Sequence, residues 1–354
     1  MTMPEKTTDK KTITLTRSFL AVLLLATFAF GAFIGRGTGM LGGMYETSSE
    51  ERTADTGGSF RFIRSSSVHG SPGGTRAFQD LKPFRYKVDA LIQRKVSSGD
   101  ASTVSVFFRD LVGGHRFGIR EQEAIAPESL LKLPLMIAYF KWAESDPRVL
   151  RRKVTYAGSD DRSEQQSVHA AKPLERGRSY SIDDLILRMI AYNDGDAHAL
   201  LMANLPPGHL DRVYKDVYAN YDPAKKDEVV TLTAYASFFR VLYNASYLNK
   251  NMSEKALRYL SRSAFRDGVV AGIPSNVDCA IKFGERTVQA EAGGESGERA
   301  VKQLHEFGII YYPNRPFLIG VMARGEDPGK LANIMREITS LIYEEVDRQL
   351  RTSG

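Results

Sequence analysis

Residues 126–144 read APESLLKLPLMIAYFKWAE. The run that follows Pro127 is apolar on every side, which predicts a buried helix over 129–144 rather than a surface one. Pro134 falls within the first two turns of that helix, where the bend it causes is tolerable. Ser129 and Lys132 stand three residues apart, a spacing that brings side chains onto one helical face, so the amine can reach the hydroxyl. Burial disfavours an ammonium and lowers the lysine pKa, which lets the amine take a proton from serine. The helix N-terminus then favours the negative charge that develops. S-x-x-K is a short pattern that arises by chance, and a capping serine followed by a solvated lysine is its ordinary explanation. Here every flanking residue is apolar, which argues against solvation.

Working outward, Pro83 precedes an amphipathic stretch with Val88, Leu91, Ile92 and Val96 at helical spacing. Two β-rich runs follow, 102–109 (STVSVFFR) and 116–119, separated by Asp110-Leu111-Val112-Gly113-Gly114, a hairpin signal. Residues 147–272 read as an all-helical subdomain, with helices over 182–192, 198–204, 210–218, 232–244 and 253–261. Two more β-rich runs, 306–312 and 317–324, are joined by Pro313-Asn314-Arg315-Pro316, and an amphipathic helix over 328–350 closes the chain. These pieces pack economically as an α/β (α+β) sandwich, in which an antiparallel sheet drawn from both ends of the domain is flanked by N- and C-terminal helices, with the helical subdomain inserted.

Downstream of the serine comes Lys282-Phe283-Gly284-Glu285, and then, after a hydrophilic insertion, LHEFGIIYYPNRPFLIGVMARG. With these elements in this order the chain resembles the class A β-lactamase and penicillin-binding-protein family of active-site serine hydrolases, whose motif set is S-x-x-K, S-D-N and K-T-G. The resemblance spans about residues 82–350 and implies the β-lactamase/transpeptidase-like fold, with the site between the sheet and the helical subdomain. It implies Ser129 as the acylated nucleophile and Lys132 as its base or proton relay. Lys282 would line the site from a strand, supplying positive charge for a substrate carboxylate and the serine alkoxide. The backbone N–H groups of Ser129 and Glu285 would form the oxyanion hole, and Gly284 would let the substrate backbone approach. No metal or cofactor is implied, and the substrate would be peptide-like or β-lactam-like.

Three departures bear on activity. Alignment through LILRMIAY sets Asn193-Asp194-Gly195 against S-D-N: Asp194, the structural member, survives, whereas Asn193 takes the place of the proton-relaying serine and Gly195 that of the substrate-contacting asparagine. Asp196 and His198 lie close enough to supply a substitute relay, although a helix-start aspartate and an exposed histidine explain them more simply. Phe283 replaces a hydroxyl that would bind a carboxylate. Residues 203–230 carry no E-x-x-L-N glutamate to activate a deacylating water; Asp227 and Glu228 are the nearest carboxylates, and efficient β-lactam hydrolysis is not expected.

The N-terminus locates the domain. Residues 18–35 (SFLAVLLLATFAFGAFIG) carry no charge, a length close to the roughly 17 to 25 residues that a spanning helix needs. Lys6, Lys10, Lys11 and Arg17 precede the segment and only Arg36 follows closely, so the positive-inside bias keeps residues 1–17 in the cytoplasm and sends the rest outward. Two readings stand: an uncleaved single-pass anchor in the cell membrane, or a signal segment cleaved near Ala29-Phe30-Gly31 with the domain secreted. Residues 36–80, rich in Gly, Ser and Thr, read as a flexible linker with a short strand at 60–64 that docks on the domain of 81–354.

Composition excludes several alternatives. The 48 basic and 42 acidic residues are intermixed without a long basic block, which disfavours a nucleic-acid surface. Cys279 is the sole cysteine, which excludes an intramolecular disulfide framework and multi-cysteine metal motifs. The six histidines are scattered, with no HExxH, so no metal site is expected. Two functions remain: a serine acyl-transfer enzyme acting on a cell-wall peptide or a related amide or ester, or a catalytically impaired relative with a binding or scaffolding role in the cell envelope. The oligomeric state is not legible.

Overall fold

A computed structural model describes residues 60–64, 81–123, 128–158, 173–218, 230–288 and 301–351. The 18–35 segment, most of the 36–80 linker, and Asp227 and Glu228 lie outside the described residues. Among those described, no helix is long and apolar enough to cross a membrane.

The domain opens with α1 (Lys82–Ser97) and the hairpin β1 (Thr103–Asp110) and β2 (Arg116–Ile119). A 3-10 turn, Glu128–Leu131, leads into α2 (Lys132–Ser145). There follow β3 (Lys153–Thr155), β4 (Ser179–Ser181), α3 (Ile182–Ala191), α4 (Gly195–Asn204), α5 (His209–Val217), α6 (Leu232–Tyr243) and α7 (Lys250–Leu260). The chain then returns to the sheet through β5 (Cys279–Val288), β6 (Val301–Ile310) and β7 (Phe317–Gly325), and ends in α8 (Pro328–Arg351).

The sheet order is β2-β1-β7-β6-β5, with every neighbouring pair antiparallel. Both ends of the domain thus contribute strands, as the sequence predicts. Strand side chains alternate between two cores. Val104, Val106, Phe108, Ile319, Val321, Ile281 and Phe283 face α1 and α8. Phe107, Phe307, Ile309, Leu318, Met322 and Ala280 face the helical block. Helix α2 is buried nearly all round, from Leu133 through Phe140, and forms the axis of that second core. Pro134 sits in its first turn, where a backbone N–H has no partner within the helix anyway.

Two expectations need correction. The inserted block is not all-helical: β3 and β4 form a two-stranded antiparallel ribbon, short enough that three residues per strand gave no periodic signal. Residues 60–64 dock as expected, but not as a strand. Their backbone N–H groups go to a carboxylate and a helix carbonyl instead of a neighbouring strand: Arg61 N donates to Glu254 Oε1 at 3.2 Å, Phe62 N and Ile63 N donate to Glu254 Oε2 at 2.9 and 3.2 Å, and Arg64 N donates to Tyr243 O at 2.8 Å. Phe62 and Ile63 are buried, and Arg61 binds Asp278 through two nitrogens.

Candidate active site

The 3-10 turn that carries Ser129 packs where α2 meets the outer strand β5, and its position is fixed by Tyr235 of α6, whose hydroxyl donates to Leu130 O at 3.0 Å. Sequence reasoning did not single out Tyr235, because nothing in its local pattern distinguishes it from a core tyrosine. Gly284 lies against Ser129: a Cβ built on Gly284 would stand 3.1 Å from Ser129 Cβ, so a side chain here would press on the serine. Strand alternation puts Lys282 and Gly284 on the same face of β5, toward the helical block, and turns Phe283 to the other face.

Asn193 joins the parts. It stands in the break between α3 and α4 with φ of 59°, a left-handed conformation that asparagine tolerates better than most residues. Its amide nitrogen donates to Ser129 Oγ at 3.0 Å. Its amide oxygen accepts from Lys132 Nζ at 2.9 Å and from Lys282 Nζ at 3.0 Å. Lys132 also donates to the Asn193 carbonyl oxygen, and Lys282 to that of Phe283. Asn193 and Lys282 are fully buried and Lys132 is 4% exposed, so this is an interior network and not a solvated cluster. Burial, reinforced by the charge of Lys132, pushes the Lys282 amine well below its ordinary pKa.

The neighbouring positions divide by role. Asp194 caps α4, its carboxylate accepting from Ala197 N at 3.0 Å, and burial raises its pKa. Gly195 opens α4 one residue past that cap and, lacking a side chain, brings no group toward the serine. Asp196 accepts from Tyr156 Oη at 2.8 Å. His198 is not the exposed residue that its sequence context suggests: it is half-buried, and burial, with the charges of Lys132 and Lys282, lowers its pKa to about 4. Phe283 is buried and stacks on Phe265 at 5.2 Å between centroids, while its ring lies 4.8 Å from Lys282 Nζ. Glu285 follows Gly284 on the outer strand and is partly exposed. Among the described residues, no group of three or more His, Cys, Asp or Glu side chains comes together to hold a metal.

The model of the beta-lactamase enzyme family matches residues 84–346, most of the chain. The chain belongs to this family. Solved structures agree on the fold. A PBP-A mutant, solved as an acyl-enzyme complex with penicillin G, is 15% identical with a TM-score of 0.60, over 77% of this chain and 99% of that one. A beta-lactamase from Sphaerobacter thermophilus is 17% identical with a TM-score of 0.61, over 75% and 97%. A class A beta-lactamase from Mycobacterium abscessus is 18% identical with a TM-score of 0.57, over 74% and 98%. At these identities the likeness speaks for the fold alone. A search of curated proteins finds no match.

Proposed function

We propose that this β-lactamase-fold protein is a serine hydrolase that works through an acyl-enzyme on a peptide, amide or ester of the cell envelope, with Ser129 as nucleophile. The observation that carries the reading is the convergence on Asn193: one amide oxygen accepts from two buried amines while the same amide donates to the serine oxygen. Burial first, and then the charge of Lys132, holds the Lys282 amine below its ordinary pKa, so the site disfavours two ammonium groups at once. With Lys282 shifted toward its neutral form, one amine of the pair can accept the serine proton while the other, as an ammonium, donates to the leaving group. An amide cannot relay a proton as a serine hydroxyl does. Asn193 instead holds the two amines in register and donates to the developing alkoxide. The backbone N–H groups of Ser129 and Glu285 serve the oxyanion, and Gly284 keeps the approach to the serine open.

The substrate's far end is read differently from the family pattern. Phe283 is sealed against Phe265 on the far face of β5 and offers no hydroxyl to the site. A substrate carboxylate therefore meets no side-chain hydroxyl at this position. The 18–35 segment supports a membrane anchor with the domain outside the cytoplasm, which protease accessibility of the domain in spheroplasts would check.

The test is labelling of the full chain with a fluorescent penicillin and a fluorophosphonate. Label is expected on the wild type, absent from Ser129→Ala and from Lys132→Ala, and largely retained by His198→Ala. Silence of the wild type with both probes would refute the proposal.

A further inference from the structure

A second polar group sits directly behind the serine, outside the network just described. The β5–β6 register sets His305 opposite Gly284, and a Cβ on Gly284 would lie 3.1 Å from Ser129 Cβ and 3.9 Å from His305 Cδ2. The space that Gly284 leaves open is therefore bordered by both the serine and the imidazole. Gln303, two residues earlier on β6, faces the same side. Both are buried, His305 at 3% and Gln303 at 6% exposure. Neither ring nitrogen of His305 nor Oε1 of Gln303 finds a hydrogen-bond partner among the described residues. Buried polar atoms without a partner are rare in native proteins and call for an explanation. A trapped water, which needs about two to four polar partners, is the ordinary one.

The charged neighbours suit that role. Arg286 lies opposite Gln303 on β5 and Arg324 opposite it on β7. Glu123 accepts from Ser105 Oγ at 2.9 Å and from Arg324 at 3.5 Å. Burial first, then Arg324 and Arg286, holds the His305 pKa down to about 3, so the ring stays neutral, with one acceptor and one donor nitrogen.

We propose that His305 and Gln303 hold the water that hydrolyses the acyl-enzyme. The inference rests on the acyl-enzyme reading above and supplies the deacylation step, for which residues 203–230 offer no glutamate motif. The water donates to the acceptor nitrogen of His305 and to Gln303 Oε1, which aims a lone pair at the ester. Its oxygen bonds to the acyl carbonyl carbon, the bond from that carbon to Ser129 Oγ breaks, and the proton the water gives up ends on Oγ. A carboxylic acid leaves and the serine is restored.

Intact-protein mass spectrometry of the full chain, mixed with penicillin G or a p-nitrophenyl ester, follows formation and decay of the adduct separately. His305→Phe and Gln303→Leu are expected to acylate within about threefold of the wild type yet to hold the adduct at least about tenfold longer. Hydroxylamine, which needs no seat in the protein, should release the adduct from variant and wild type alike. Unchanged lifetimes in both variants, or acylation slowed in the same proportion as release, would overturn the assignment. Should His305→Phe fail to fold, the smaller change Gln303→Leu decides alone. A wild type that forms no adduct at all refutes the acyl-enzyme reading itself, and this inference with it, and is told apart because acylation is scored first.

Discussion

Replacing Lys282 by methionine should make the protein more stable and less reactive at the same time. The lysine is fully buried, and desolvation is the main reason its pKa is depressed, with the charge of Lys132 second. Methionine keeps most of the length and volume of the stem without the amine. Asn193 Oδ1 still accepts from Lys132 at 2.9 Å, so the loss leaves unpaired chiefly the Phe283 carbonyl that Lys282 also served. Setting one lost hydrogen bond, about 1 kcal/mol, against the roughly 1 to 4 kcal/mol gained when buried charged groups give way to apolar ones leaves a net gain of about 0 to 3 kcal/mol.

The pH dependence fixes the cause. With the folded pKa depressed, the unfolded chain binds more protons than the folded one from that pKa up to lysine's ordinary 10.5, so wild-type stability rises with pH through that window. The advantage of Lys282→Met is therefore full below the folded pKa and fades by up to about 1.4 kcal/mol per pH unit on the way to 10.5. Urea denaturation of both proteins at pH 7 and pH 9.5 measures the gap, and serine labelling measures the reaction, which should fall by about 10² to 10⁴. A variant less stable than the wild type, with a gap indifferent to pH, would mean that the amine is well paired as an ammonium, and the proton-sharing account of the site would fail.

Glu254→Ala should cost about 2 to 4 kcal/mol, a ceiling set by undocking of residues 60–64, since three backbone N–H groups lose one shared carboxylate. Hydrogen exchange at the amides of Arg61, Phe62 and Ile63 should rise together; protection left intact would show that burial of the two apolar side chains suffices. Glu306→Gln tests the opposite pH sign. Its carboxyl is raised from 4.5 to about 8, so between those values the unfolded chain has released a proton that the folded one keeps, and the wild type loses stability as pH rises. Melting curves should coincide near pH 4, below the unfolded pKa, and separate in favour of the variant by pH 8, and parallel curves would contradict the raised pKa.

What was legible in the sequence follows the range of the interactions. Ser129 and Lys132 are three residues apart, so local spacing alone brings them into one neighbourhood, where Asn193 bonds both. Lys282 lies 89 residues from the Asn193 oxygen it binds, and only the order of three motifs against a known family brings it to the site. Asn193 was found the same way, but its bridging of both amines depends on a left-handed turn between α3 and α4, which no periodicity announces. The first half of β6 was missed for a physical reason: 306–312 was expected, whereas the strand begins at Val301. Gln303 and His305 point inward, and alternation reads polar residues as solvent-facing. The error falls where polar groups are buried beside the serine, the place where a sequence rule about cores should break if the site is built for chemistry.

The departures from the family pattern share a location. Gly195 and Phe283 alter the groups that would grip the parts of a substrate away from the scissile bond, and Phe283 goes further by joining Phe265 in the core behind β5. Asn193 alone touches the serine, and it replaces one hydrogen-bonding residue by another that reaches the serine oxygen and both amines. A chain that had merely drifted away from catalysis would have little reason to keep two lysine amines out of water on one amide oxygen, because each such amine works against folding. Their retention, together with the loss of the hydroxyl at Phe283, separates chemistry from selectivity: the proposed acyl transfer keeps its groups around Ser129, while the side chain that would have met a substrate carboxylate is withdrawn into the core.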